Sequence, residues 1–410
     1  MGWIDNYLLL VRETEPPREF HFWCAVAGLG HVLGRKVYLD QYLYKIYPCQ
    51  TMVLLCSDSA VSRKGAAMNC IASLLKTLPP DYCKLIPARV SAATLLDELN
   101  RIDDNGEYVD SVGLILANEL GTFFSREEGR KDIPTLVTDL NDAPEGVWRA
   151  PTRTYGNLTL NNPCLGMIAG VTRTGLAHEV PAAVRTAGFL GRCLIVDSDG
   201  ADTPHSLTAP PPKFNVLRAT LLKDLHQRLV TIKGPMTWSA DGKAWYDAWY
   251  NAHFFQVKTI QQSEQTGWYG RKHVHLLRTA IILTASERNE RVLRVDMLTR
   301  ALDELTRLEH HATQALKEVG VHSEDQGRKD KLLALLARLA SRNGSAWVPR
   351  RKLLQRAFRL YGKGGCALFG HDLDDFEQAG MMERRRNKQG ECEEWRVCAT
   401  AGHLLQSVPE

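Results

Sequence analysis

Leu54-Leu55-Cys56-Ser57-Asp58-Ser59-Ala60-Val61-Ser62-Arg63-Lys64-Gly65-Ala66-Ala67-Met68 carries three local signals in fifteen residues. Met52 to Cys56 is a short apolar run and reads as a buried strand. A polar loop follows, then Lys64, then small residues opening a helix through Leu75. Strand, loop, lysine and helix in that order describe a phosphate-binding P-loop, where backbone N–H groups and the positive end of a helix face an anion. Against G-x-x-x-x-G-K-[ST], Asp58 and Arg63 stand where the glycines belong. Gly65 stands where a Ser or Thr would ligand Mg²⁺. Two readings stay open: a degenerate nucleotide loop using Ser62, Arg63, Lys64, Gly65 and Ala66, or a strand-to-helix turn with an exposed Arg-Lys pair.

Downstream segments fall in the order a nucleotide-hydrolysing core requires. Val112 to Glu119 is an apolar strand ending in polar groups, where a second acidic element would sit. A carboxylate there can orient the attacking water or hold Mg²⁺ through water, which makes Glu119 the candidate, with Asn118 beside it. Asn162-Pro163 precedes a further strand, Cys164 to Val171, whose tip offers Thr172 as a sensor of the γ-phosphate. Arg173 and Arg185 bound a loop that could touch DNA. Gly188-Phe189-Leu190-Gly191-Arg192 leads into the strand Cys193 to Val196. Arg192 reads either as a finger reaching nucleotide in cis or across a subunit interface, or as a structural arginine paired with a carboxylate such as Asp197.

The flanks read as follows. Residues 1–48 form a helical brace with a short hairpin, Val37–Leu39 and Leu43–Tyr47. The core spans 49–200, and a stiff Pro-rich linker spans 201–214. Residues 215–325 are helical, with Trp238, Trp245 and Trp249 read as core packing. Helices at Asp330–Ala340, Pro349–Tyr361 and Gly370–Ala379, then strands at Met381–Arg386 and Glu393–Val397, give 326–398 the pattern of a winged helix. A tail, 399–410, follows.

The chain has 410 residues, enough for two or three domains, with 44% hydrophobic and 24% charged residues, an ordinary globular composition. The net charge of +4 is unevenly spread. Arg328 to Lys388 carries 15 Lys and Arg against 6 Asp and Glu, so that module expects a polyanion partner. Its DNA contacts would come from Arg350, Arg351, Lys352 and Arg356 and from Arg384, Arg385 and Arg386. The 10 cysteines form no C-x-x-C pair, so the expectation is reduced, buried thiols, no metal site and a cytoplasmic location. Neither an apolar run long enough to cross a membrane nor a secretory signal is expected.

Together these segments resemble the DUF3987 family of phage and bacterial P-loop proteins. The resemblance rests on Tyr47-Pro48, Ser62-Arg63-Lys64-Gly65, Glu119, Asn162-Pro163 with the Gly166–Val171 strand, and Gly188 to Arg192, over about residues 3–320. It departs at Asp58 and Val61, where glycines are expected, and at Ala66, where a hydroxyl is common. The resemblance implies an α/β, RecA- or AAA-like core binding ATP and Mg²⁺ in a homo-oligomeric, hexameric ring. It implies an ATP-dependent DNA motor, helicase-like, in phage or mobile-element replication. The alternative is a DNA-binding replication initiator or helicase-loader adaptor, working with other replication proteins and hydrolysing little or no ATP.

Overall fold

The computed structural model describes residues 1–58, 61–87, 89–101, 109–123, 133–152, 156–178, 188–200, 213–259, 263–288, 290–343, 346–361, 366–378, 380–386 and 393–398. The chain divides into two compact units, Met1–Val319 and Gly320–Glu410. Arg185, the 201–212 part of the expected linker and the 399–410 tail lie outside the described residues.

Unit one opens with α1 (Trp3–Val11) and α2 (Arg18–Leu33), separated where Pro16-Pro17 cannot continue a helix. A hairpin, β1 (Val37–Asp40) and β2 (Lys45–Ile46), leads through a 3₁₀ turn at Pro48–Gln50 into β3 (Met52–Cys56). Then come α3 (Lys64–Leu75), β4 (Leu85–Pro87), α4 (Ala92–Leu99), β5 (Asp110–Ala117), α5 (Leu120–Phe123) and α6 (Ile133–Asn141). Next are β6 (Val147–Thr152), β7 (Gly156–Val171), α7 (Arg173–His178), α8 (Phe189–Arg192) and β8 (Cys193–Asp197). The remainder holds α9 (Phe214–Gln227), β9 (Gly234–Trp238), α10 (Ala240–Val257), α11 (Ser263–Glu287), β10 (Val292–Leu293) and the start of α12 (Val295–Asn343).

The architecture is α/β with a mostly parallel central sheet in the order β4-β5-β7-β3-β8, to which β6 adds antiparallel. Alternate residues of β3 face opposite cores: Val53 and Leu55 meet α2 and α3, while Met52, Leu54 and Cys56 meet α4 and α6. Both faces are covered, so the strand reads as a continuous apolar run. Handedness then dictates which helix covers which face. The step from β3 out to β4 runs one way along the sheet, and the steps β4 to β5 to β7 to β8 run the other. Right-handed crossovers put helices for opposite directions on opposite faces. Accordingly α3 packs in one core, whereas α4, α6 and α8 pack in the other. Next to each other in the sheet, β3 and β7 therefore send their chains to opposite faces, which makes their carboxyl ends the topological switch point of the sheet.

Three expectations change. Asn162-Pro163 does not start a strand; β7 runs through it, bent by Asn162 at φ +45°, and its partner β5 shifts register between Asp110 and Val112. A bulge tolerates a residue without an N–H, and Asn162 fills the gap by accepting from Gly146 N (2.7 Å) and donating to Asp110 Oδ1 (2.9 Å). The region expected to be all helix supplies β9 and β10, which complete a second sheet ordered β10-β9-β1-β2. These strands are too short to show a period of two. Finally, the end of the helical region 215–325 and the helix expected at Asp330–Ala340 are one element, α12.

In unit two, β11 (Val348–Pro349), α13 (Arg350–Tyr361), α14 (Cys366–Gln378), β12 (Met382–Arg386) and β13 (Glu393–Val397) follow the last turns of α12. The sheet order is β11-β13-β12, all antiparallel, over a core of Leu332, Leu336, Val348, Leu353, Phe369 and Trp395. No helix among the described residues is long and apolar enough to cross a membrane.

The core of unit one makes the fold acid-sensitive. Burial pushes His21 down to about 4, and His31 and His275 down to about 3, from an ordinary 6.5. The unfolded chain therefore binds protons that the folded chain refuses, and stability is complete above pH 6.5 and lost as pH falls toward 4. Each imidazole contributes a slope of up to about 1.4 kcal/mol per pH unit. Urea unfolding at pH 7.5, 5.5 and 4.5 should show this fall, and His21→Gln should remove about one proton of it. A midpoint that stays level down to pH 4.5 would refute the assignment.

Candidate functional site at the carboxyl end of the central sheet

The site is assembled from strand tips. Paired rows of the sheet bring Cys56, Val171 and Asp197 level, and Ala117 level with Ala169. The polar residues one step beyond each strand therefore converge. Ser57 N donates to Val171 O at 3.3 Å, and Ser198 N to Cys56 O at 3.2 Å. At Gly170 an added Cβ would stand 2.5 Å from Asn118 O and 3.6 Å from Lys64 Cδ. Glycine there lets the tip of β5 and the lysine of α3 close on one point.

Lys64 is the first residue of α3 and bends back over its own loop. Its Nζ donates to Ser57 O (2.7 Å), Ser57 Oγ (3.0 Å) and Asp58 O (3.4 Å). Burial pulls this ammonium below its ordinary range, opposed by Cys56 and Asp58. Ser57 and Ser62 are buried, and their hydroxyls hydrogen-bond across the loop. Arg63 caps α3 at φ +52°, the left-handed region that glycine occupies most easily, which explains why the general motif has glycine at this position. Its side chain leaves the loop and pairs with Glu15 at 2.8 Å, both groups about half exposed. Gly65 faces Asn118 Oδ1, 3.6 Å from where a Cβ would stand, so the position has room for a side chain. Ala66 follows in the first turn of α3.

Glu119 is exposed, two residues past the end of β5 and directly before α5. Thr172 follows β7 and caps α7, its Oγ1 accepting from Gly175 N at 2.8 Å. Arg173 is gathered into the site instead of pointing away. It donates to Asp197 (3.0 and 3.2 Å), Asp199 (2.5 Å) and Asp58 (3.3 Å). These bonds, Asp197 first, hold its guanidinium charged above even the usual arginine range. Burial, with Asp197 beside it, pushes the Cys56 thiol up to about 12. Sequence reading missed Asp58, Asp197 and Asp199 as a set; carboxylates closing on one arginine from two strand tips leave no spacing signal.

Arg192 lies elsewhere. It precedes β8, whereas Lys64 follows β3, and the two strands are parallel, so the length of the sheet separates them, about 13 Å of strand. Its guanidinium grips Asp142, Nε to Oδ1 at 2.9 Å and Nη2 to Oδ2 at 2.7 Å. Asp142, and not Asp197, is the partner.

In unit two, Arg351, Lys352 and Arg356 are exposed on α13, while Arg350 stacks over Phe369. Arg384 pairs with Glu377 (3.0 Å) and Arg385 with Glu394 (2.9 Å); Arg386 is exposed. Among the described residues, His371, Asp372 and Asp375 group closely enough to ligate a metal ion. Asp372 already accepts from Arg328 (2.8 Å) and Tyr361 (2.7 Å), and Asp375 from Lys329 (2.7 Å). No protein-family model and no curated protein matches the chain.

The close approach at Gly170 is testable. Gly170→Ala forces a Cβ against the Asn118 carbonyl and should destabilise the chain by about 1–3 kcal/mol. Gly270→Ala, on α11 with nothing within 4 Å, should be neutral or slightly stabilising. Equal urea midpoints for the two variants would mean that the strand tips do not meet as described.

Proposed function

We propose that Met1–Val319 is a P-loop, RecA- or AAA-like nucleotide-binding core of an ATP-dependent DNA motor, helicase-like, and that Gly320–Glu410 is its winged-helix DNA-binding module. The observation that carries this reading is the position of Lys64: first turn of α3, at the switch point where the chains of β3 and β7 part, with Asn118 and Thr172 on neighbouring tips. Phosphates would take the N–H groups of that first turn and the Lys64 ammonium, which would exchange its loop carbonyls for phosphate oxygens. Glu119 would orient water, and Thr172 would sense the γ-phosphate. Mg²⁺ would neutralise phosphate charge; Ser62, Asn118 and Glu119 are the nearby oxygen donors, since Gly65 and Ala66 supply none. Arg192, at the far edge, would serve a neighbouring subunit's nucleotide in a ring only by releasing Asp142. Phage or mobile-element replication is the setting that the family resemblance suggests.

A second reading, a replication initiator or loader that binds nucleotide without turning it over, has its own support. Lys64 is satisfied by its own loop, Arg63 is tied to Glu15, and the hydroxyl expected at position 65 is missing. Steady-state ATP hydrolysis with and without single-stranded DNA separates the two. The motor reading expects DNA-stimulated turnover that Lys64→Ala and Glu119→Gln each lower by about tenfold or more. Without turnover in the wild type, the adaptor reading stands; there Gly65→Ser, which fits beside Asn118, should create Mg²⁺-dependent hydrolysis.

DNA binding should be salt-dependent and should run mainly through α13. Replacing Arg351, Lys352 and Arg356 together by alanine should flatten the slope of log affinity against log salt by about two to three units. The Arg384, Arg385 and Arg386 triple variant should flatten it less, because two of those charges are already paired. An unchanged slope in both would remove this module from DNA binding.

A further inference from the structure

At the other edge of the central sheet lies a cavity of 620 Å³. Arg192, Arg271 and Arg278 line it, with Asp142 and Glu145. The charges do not cancel locally. Arg192 is spent on Asp142, and Glu145 is taken by Tyr47 (2.7 Å) and Lys45. Arg271 and Arg278 remain, seven residues apart on α11 and so on one face of it. Neither forms an ion pair with a carboxylate among the described residues. Arg278 is 8% exposed and donates to Gln50 O at 3.2 Å, while its buried Nε has no partner. A buried guanidinium without a counter-charge costs several kcal/mol. One carbonyl does not offset that cost, and burial accordingly pulls Arg278 down to about 10.

The rim of the same cavity is aromatic and strained. The turn between β1 and β2 holds Tyr42, Leu43 and Tyr44 exposed, and all three line the cavity. Tyr42 stands at φ +64°, where a bulky residue is rare and Gly or Asn is ordinary. Its N–H donates to Asp40 Oδ1 at 3.0 Å, which holds the turn. An aromatic edge over a basic floor suits a planar base joined to a phosphate. The volume matches a small-molecule site. Asp40, Asp142 and Glu145 in the wall disfavour a polyanion laid through the cavity and favour one compact anionic group, such as a terminal phosphate.

We propose that this cavity is a second, separate site for a nucleoside phosphate, with the phosphate on Arg271 and Arg278 and the base against Tyr42 and Tyr44. The ligand is either a free nucleotide or the phosphorylated end of a nucleic-acid strand; both present the same chemistry. The site does not use Lys64, so it stands or falls apart from the site at the carboxyl tips of β3 and β7.

Calorimetry on the full chain carrying Lys64→Ala tests it with ATP, pyrophosphate and a 5′-phosphorylated oligonucleotide. ATP should bind, or the 5′-phosphorylated oligonucleotide should bind more tightly than the same strand without its phosphate, since unit two would hold either strand; whichever result is seen identifies the source. Arg271→Ala should weaken that binding roughly tenfold or more, and Arg271→Lys should weaken it less. Arg271 is the chosen position because truncating the deeply buried Arg278 endangers folding. Tyr44→Ala should weaken the nucleotide or oligonucleotide while leaving pyrophosphate within about twofold. Two outcomes overturn the proposal: none of the three ligands binding at about 1 mM, or binding unmoved by Arg271→Ala in a chain with wild-type circular dichroism. Nucleotide and pyrophosphate losing equally on Tyr44→Ala would remove the base from the assignment.

Discussion

A strand buried on both faces and both edges can place polar groups only at its ends. All five residues of β3 are fully buried between β7 and β8, with a hydrophobic core on either side. Every hydrogen-bonding and charged group of that part of the chain is therefore displaced to the strand tips. At the carboxyl tips of β3 and β7 the chains part to opposite faces. Ser57, Lys64, Asn118, Thr172 and the Arg173–aspartate cluster occupy that edge. The amino edge collects its own set, from Gln50 to Arg278, around the cavity. The chemistry of both edges thus follows from burying the middle.

Much of this was legible in the sequence. Parallel strands buried on both faces appear as apolar runs, so Met52–Cys56, Val112–Ala117 and Cys164–Val171 could be read directly. Helix starts carried caps: Ser91 accepts from Thr94 N, and Ser239 from Gly242 N. What escaped reading has physical causes. Two- to five-residue strands such as β9 and β10 are too short for periodicity and form because distant partners are present. Asn162-Pro163 is a sound local stop signal, overruled by a tertiary bulge that satisfies the polar atoms. In the site, the lysine and strand-tip residues were readable by position, but the partners of Arg173 and Arg192 were not. An ion pair between residues 24 or 50 positions apart leaves no local trace.

The acids of α14 would repel a phosphate backbone if all of them faced it. In the structure Asp372 is buried against Arg328 and Tyr361, Asp375 meets Lys329, and Asp374 and Glu377 meet Arg384. Most of the acidity is spent inside the unit. The +9 of residues 328–388 is therefore concentrated on what remains outside such pairs, including Arg351, Arg356 and Arg386.

The second sheet has a consequence for biosynthesis. Leu39 pairs in parallel with Met236, and the amino-terminal helix is tied to the same late segment, Trp3 Nε1 donating to Leu221 O at 3.0 Å. A ribosome adding about 5–20 residues per second leaves β1 without that neighbour for roughly 10–40 s. During that interval the buried surface around Trp3, Phe20 and Trp23 has only part of its native cover: β3 and α3 follow it closely, whereas α9, β9 and α11 come late. An apolar segment and the strand that completes its sheet are thus made about 200 residues apart.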